Sequence, residues 1–244
     1  MNGGIAFVFR AGRIYERRMK SPLALTALLL IAAGLARADV VIVQKVNSVG
    51  QSGEITVKVS GDKVRTDVSP EVSTITDAST GDITTLMHGQ KAYIVIPAAA
   101  SKEMAEKMAK QMQDAGGATM VTSPAAPVAT GKTDKINGYN AAEYTFSNGP
   151  LKATIWMSAD FPNAKEVTDA LAKFRKGGLA DMTKAFAPDL SVLPGVPVKT
   201  ETDFNGQKIE TEIVSATEQA VDPNEYQVPA TYTEMKLPTL PPPK

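Results

Sequence analysis

The sequence predicts a mainly β protein of the α+β class, a curved antiparallel sheet with helices packed on one side. Three observations predict it: short runs in which apolar and polar residues alternate, turn residues that punctuate those runs, and two segments where the apolar spacing lengthens to every third or fourth residue.

Taken in order, the chain opens with a segment to be set aside. Leu23–Ile31 is an apolar run that leads to Ala36-Arg37-Ala38, the small-x-small pattern of a secretory cleavage site. The run is shorter than the roughly 20 apolar residues of a membrane span. Residues 1–38 are therefore read as a signal peptide cut after Ala38, with Met19-Lys20 a second possible start, and ordinary secretion is preferred to twin-arginine export at Arg17-Arg18. Polar, strand-like sequence follows directly.

Ile55, Val57 and Val59 fall on one side of a strand and Thr56, Lys58 and Ser60 on the other; Gly61-Asp62 turns the chain, and Val64, Thr66 and Val68 alternate with Arg65 and Asp67. The same grammar gives strands at Val72–Asp77, Ile83–His88 and Ala92–Ile96, ended by Pro97. Over Ser101–Asp114 the period changes: Met104, Met108 and Met112 recur every fourth residue, Ser101 offers an N-cap, and Gly116-Gly117 stops the helix. Ala118–Thr130, rich in Ala, Thr, Pro and Val, reads as a loop. Strands resume at Lys132–Ile136, Tyr139–Phe146 and Leu151–Ser158 around the turn pairs Asn137-Gly138 and Asn148-Gly149. Asn163–Glu166 resembles a capping box that opens a helix with Val167, Leu171 and Phe174 on its apolar stripe. A second short helix with Leu179, Met182 and Phe186 runs up to Pro188, and Val196–Asp203 pairs with Lys208–Ala216 across Asn205-Gly206. Residues 238–244, PTLPPPK, read as a Pro-rich tail of the polyproline type. The sum is roughly ten strands and two helical insertions in one domain, residues 39–237.

Composition excludes several functions. The chain has no cysteine, so disulfides, thiolate metal sites and a lipoprotein anchor are out. Without residues 1–38 it keeps 20 basic and 25 acidic residues, a net charge of about −5, which gives nucleic acid no general attraction. No transmembrane anchor is expected in the mature chain.

Gly131–Tyr144 (GKTDKINGYNAAEY), Thr154-Ile155-Trp156-Met157 and Asp160-Phe161, with Gly61–Arg65 and the ending Asp222-Pro223-Asn224 to Val228–Tyr232, resemble a domain family of unknown function found in exported bacterial proteins. This family looks like part of the wider superfamily of LolA- and LolB-type lipoprotein carriers. The resemblance implies an incomplete, strongly bent antiparallel barrel whose concave apolar side is covered by helices, and a cavity that takes up lipid chains. No cargo-contacting arginine can be matched, so the implied function is an analogy of fold.

Chemistry is scarce. His88, the only histidine, reads as a polar strand-end residue rather than a catalytic or metal-bound one. Gly131-Lys132-Thr133 lacks the upstream glycine of a phosphate loop, and Asp77 and Asp82 are explained by turn chemistry. Phe161, Phe174, Phe186, Tyr93 and Tyr144 are read as packing residues of their elements. No enzyme, cofactor or metal is expected. The leading expectation is a periplasmic or secreted carrier for an apolar moiety, such as an acyl chain, in a cavity built from Met104, Met108, Met112, Trp156, Leu171 and Phe174. The alternative is a cell-envelope interaction or sensory module of the same fold, with an envelope protein rather than a lipid as its partner.

Overall fold

The computed structural model describes residues 39–48, 50–114, 126–174 and 188–236. The expected signal peptide, the helix around Leu179–Phe186 and the Pro-rich tail lie outside these residues. Among them run β1 (Asp39–Ser48), β2 (Gln51–Ser60), β3 (Lys63–Ser69), β4 (Val72–Asp77), β5 (Ile83–Met87), β6 (Ala92–Ile96), α1 (Ala98–Asp114), β7 (Val128–Ile136), β8 (Tyr139–Asn148), β9 (Leu151–Ser158), α2 (Ala164–Phe174), β10 (Val196–Phe204), β11 (Gln207–Gln219) and β12 (Thr233–Glu234). Short 3₁₀ turns occupy Leu190–Val192 and Pro223–Tyr226.

All twelve strands form one large open, curved sheet in the order β12-β6-β5-β4-β3-β2-β1-β11-β10-β9-β8-β7. The expected mainly β fold of hairpin-connected strands is borne out, with twelve strands rather than about ten among the described residues. Strands consecutive in sequence account for nine of the eleven neighbour relations among the described residues; eight of these are hairpins, and the ninth, β9 against β10, is joined by the segment that carries α2. The exceptions are β1 against β11, antiparallel with Ile42 opposite Ala216, and β12 against β6, the one parallel pair. Two meanders are thus joined at the centre by the first strand and one of the last.

Glycine and asparagine make the turns. Asn137 and Asn205 have φ near +50°, each followed by a glycine at φ +90 or +84, the two left-handed residues that a tight hairpin requires. Gly195, at φ +86, marks a close approach: a Cβ there would lie 2.0 Å from the carbonyl oxygen of Ser158.

Two expectations need correction. The first helix starts at Ala98, three residues before Ser101, and Ser101 is no cap: its amide donates to the carbonyl of Pro97 inside the first turn. The capping role falls to Asp82, whose Oδ1 accepts from the Ala98 amide at 3.0 Å across the fold. Likewise Val128–Thr130, expected in a loop, are the first residues of β7 and pair with β8, with a bulge between Ala129 and Thr133 around Gly131.

The core has two centres. Val40, Ile42, Val57, Val59 and Val64 gather with Val167 and Ala170 of α2 and with Val196, Val198 and Ile213. Phe146, Leu151, Ala153, Ile155 and Met157 form the other, against which Leu190, Leu193 and Phe204 pack. β9 therefore buries both faces: Ile155 and Met157 in one centre, Trp156 half-buried against the other. Each fully buried Val, Ile or Leu here contributes about 1.5–3 kcal/mol.

Candidate functional site

Alternation on β2 and β3 sends neighbouring residues to opposite sides of the sheet. Ile55, Val57 and Thr66 point to one side, where they line an apolar groove of about 410 Å³. Lys58, Arg65 and Asp67, one residue out of phase, point to the other, where the chain beyond β11 crosses the sheet as a strap.

The groove is bounded below by β1 and β2, on one side by α2 and on the other by residues 190–197. Val46, Ile55, Val57, Leu171, Leu190 and Pro197 supply its aliphatic surface, and Gln44, Thr66, Thr168, Ser191 and Thr211 its neutral polar atoms. No ionisable side chain lines it among the described residues. α2 is set over the sheet by Val167 and Ala170, and its last turn is tied down by Lys173, whose Nζ donates to the carbonyl of Gly61 and lies 4.0 Å from Asp62. The lysine at the helix C-terminus also suits the helix dipole.

Of the residues expected from sequence to line a cavity, Leu171 lines this groove. Trp156 is partly buried against the core that includes α2, and Met104 is half-buried on α1. The side chains of Met108, Met112 and Phe174 lie outside the described residues. Sequence reasoning missed Gln44, Val46, Leu190 and Pro197; the alternation at Ile55 and Val57 was the one signal available, and it marks a buried face without telling core from groove.

On the far side, the strap is held by a connected polar network. Arg65 donates from Nε to Asp67 at 2.7 Å, from Nη2 to Ser73 at 3.0 Å and from Nη1 to the backbone carbonyl of Glu225 at 2.8 Å. Lys58 pairs with Glu225 and lies 3.1 Å from Asp67. Ser73 donates to Asp67 at 2.7 Å, so its oxygen accepts from His88 Nε2 at 2.8 Å, and His88 Nδ1 shares a hydrogen bond with the Tyr232 hydroxyl at 2.8 Å. Serine beside histidine is not a nucleophile here: Ser73 is 1% exposed and gives its proton to a carboxylate that Arg65 already neutralises. His88 is a strap anchor, which its place in the sequence did not reveal.

Burial would push Asp67 up, but hydrogen bonds from Ser73, Arg65 and Lys58 outweigh it and hold the carboxyl below the ordinary range. Asp77, bonded by Lys63 and Ser79, is also held low, in keeping with the turn role expected for it. No group of ligands suited to a metal ion occurs among the described residues.

Among solved structures, PNGF-II in its C2 crystal form is 12% identical, with a TM-score of 0.38, over 83% of this chain and 31% of its own. The chain thus spans about a third of the length of PNGF-II. A Vibrio parahaemolyticus domain described as an outer membrane lipoprotein-sorting protein is 10% identical, with a TM-score of 0.32, over 82% of this chain and 94% of its own. A DUF1329 family protein from Desulfovibrio piger ATCC 29098 is 7% identical, with a TM-score of 0.31, over 82% and 94%. No curated protein matches the chain. A family model for a domain of unknown function, DUF4412, matches residues 41–232, from the third residue of β1 to the tyrosine that anchors the strap. The membership expected from the quoted motifs is borne out: the chain belongs to the DUF4412 family.

Proposed function

We propose that the protein is a non-catalytic carrier that holds an apolar moiety, an acyl chain or the lipid of a lipoprotein, in the groove beneath α2. The observation that carries this reading is the groove itself: about 410 Å³, aliphatic, and without an ionisable group among its described lining residues. Ligand sites are typically about 300–1,000 Å³, largely apolar, with a few polar atoms to orient the ligand. In this reading the helices lie on the concave side of the sheet, and Met104, Met108, Met112, Trp156 and Phe174 extend the apolar surface that Leu171 begins. The working protein is the exported single domain 39–237 with its tail, acting in the periplasm or outside the cell after the leader is removed.

The alternative, a docking module for an envelope protein, would use the open edge of β7, whose residues from Val128 to Lys135 are exposed. The bulge at Gly131 and the charges of Lys132, Asp134 and Lys135 oppose strand addition there. The carrier reading is therefore preferred.

Native mass spectrometry of the protein purified gently from its own envelope, with extraction of any bound lipid, tests it. A stoichiometric acyl species is expected. A clean unliganded mass that persists after incubation with envelope lipids overturns the reading.

A further inference from the structure

The strap covers a charged cluster that lacks one cation. Asp67 and the Glu225 carboxylate share Lys58, while Arg65 binds Asp67 and the backbone carbonyl of Glu225. A third carboxylate, Asp39, is 8% exposed at the first position of β1, and its Oδ2 accepts from the Val221 amide at 3.0 Å. Among the described residues, three carboxylates thus stand against two cations.

In their midst lies Tyr226, 8% exposed, whose hydroxyl has no hydrogen-bond partner among the described residues. Buried hydroxyls are almost always satisfied, so this one calls for a donor or acceptor. Burial pushes the hydroxyl above the ordinary tyrosine range; Asp39 and Glu225 push it the same way, and Arg65 opposes them. The pocket around Tyr226 is short of positive charge.

Asp39 is also the residue that follows Ala36-Arg37-Ala38. Hydrolysis of the Ala38–Asp39 peptide bond consumes one water, leaves a carboxylate on Ala38 and turns the neutral Asp39 amide into an α-amine. Such an amine titrates at about 7.7–8.0 and is mostly protonated at neutral pH. The cut would place a new cation at the residue whose own carboxylate holds the strap.

We infer that leader removal completes the strap's seat: the α-ammonium created at Asp39 is the missing cation, and it locks residues 221–226 onto the sheet. The precursor then carries a looser strap, and processing is a folding step as well as a release step. The inference rests on the export reading through the position of the cut, and it is independent of what the groove binds.

Intact mass of the exported protein comes first: a start at Asp39 is expected, and a start elsewhere overturns the inference while leaving the lipid test above unaffected. Four proteins then isolate the charge: the chain from Asp39 with a free amine, the same chain Nα-acetylated, and both with Tyr226→Phe. Acetylation is expected to lower Tm by about 2–4 °C or more and to speed proteolysis between residues 220 and 236. Tyr226→Phe is expected to change sign: it lowers Tm in the free-amine chain, where the hydroxyl has found a partner, and raises it in the acetylated chain, where the hydroxyl is an unpaired liability. Acetylation without effect on Tm and proteolysis, or a Tyr226→Phe shift of one sign in both backgrounds, overturns the inference.

Discussion

Asp67 accepts from Arg65 and Ser73 on one oxygen and faces Lys58 on the other. Its folded-state pKa is depressed, so the stability it contributes is present above the unfolded value, about 3.9, and is lost as pH falls through the folded one. Thermal melts should therefore show Tm falling below about pH 4, and Asp67→Asn should lose about 1.5–3 kcal/mol at neutral pH with a flatter acid limb, read by urea titration at pH 7 and pH 3. Gly195 is a second sensitive position. A methyl group there meets the Ser158 carbonyl, and the positive φ adds strain, so Gly195→Ala should cost about 3 kcal/mol or more in the same titration. The sequence carried half of each story. Arg65 and Asp67 were readable as one side of a strand, but Glu225 is 160 positions from Arg65, and local spacing does not report a contact of that separation.

Elements bounded by turn chemistry were the most legible. β4, β6 and β9 run over the residues expected because glycine, proline or asparagine closes each side. The first helix was misplaced at its start because Pro97 suits the residue just before a helix, and the capping carboxylate comes from another hairpin. Asp82→Ala should accordingly destabilise the fold by about 1 kcal/mol and weaken helical circular dichroism, without touching the groove. The groove was illegible as a site because six chain segments build it, and the stripes that pattern could find, Ile55 with Val57 and Leu171 on α2, mark buried faces without showing that they meet. Leu171→Glu places a charge in an aliphatic cleft from a half-exposed position. It should abolish recovery of a co-purifying acyl species while lowering Tm by only a few degrees; undiminished lipid recovery would count against this groove as the binding site.

At the scale of the molecule, the sheet has two ends handled differently. β7 protects itself with a bulge and charges, whereas β6, Ala-Tyr-Ile-Val-Ile, is uncharged and unbroken, and only the two residues of β12 pair along it. Removing residues 220–244 should therefore produce concentration-dependent association, visible by light scattering, and Val95→Lys in that shortened chain should suppress it. The central join was not legible: β1 and β11 each read as ordinary strands, and nothing in either names the other as neighbour. It also sets a clock. β1 emerges among the first residues of the domain and finds β2 at once, but the residues that cover its other edge begin at Gln207, 168 positions after Asp39. At about 5–20 residues per second, a nascent chain waits roughly 10–30 s with its middle strand open on one side. Whatever holds the chain unfolded in that interval, a chaperone or a translocation channel, governs how much of it reaches the native sheet.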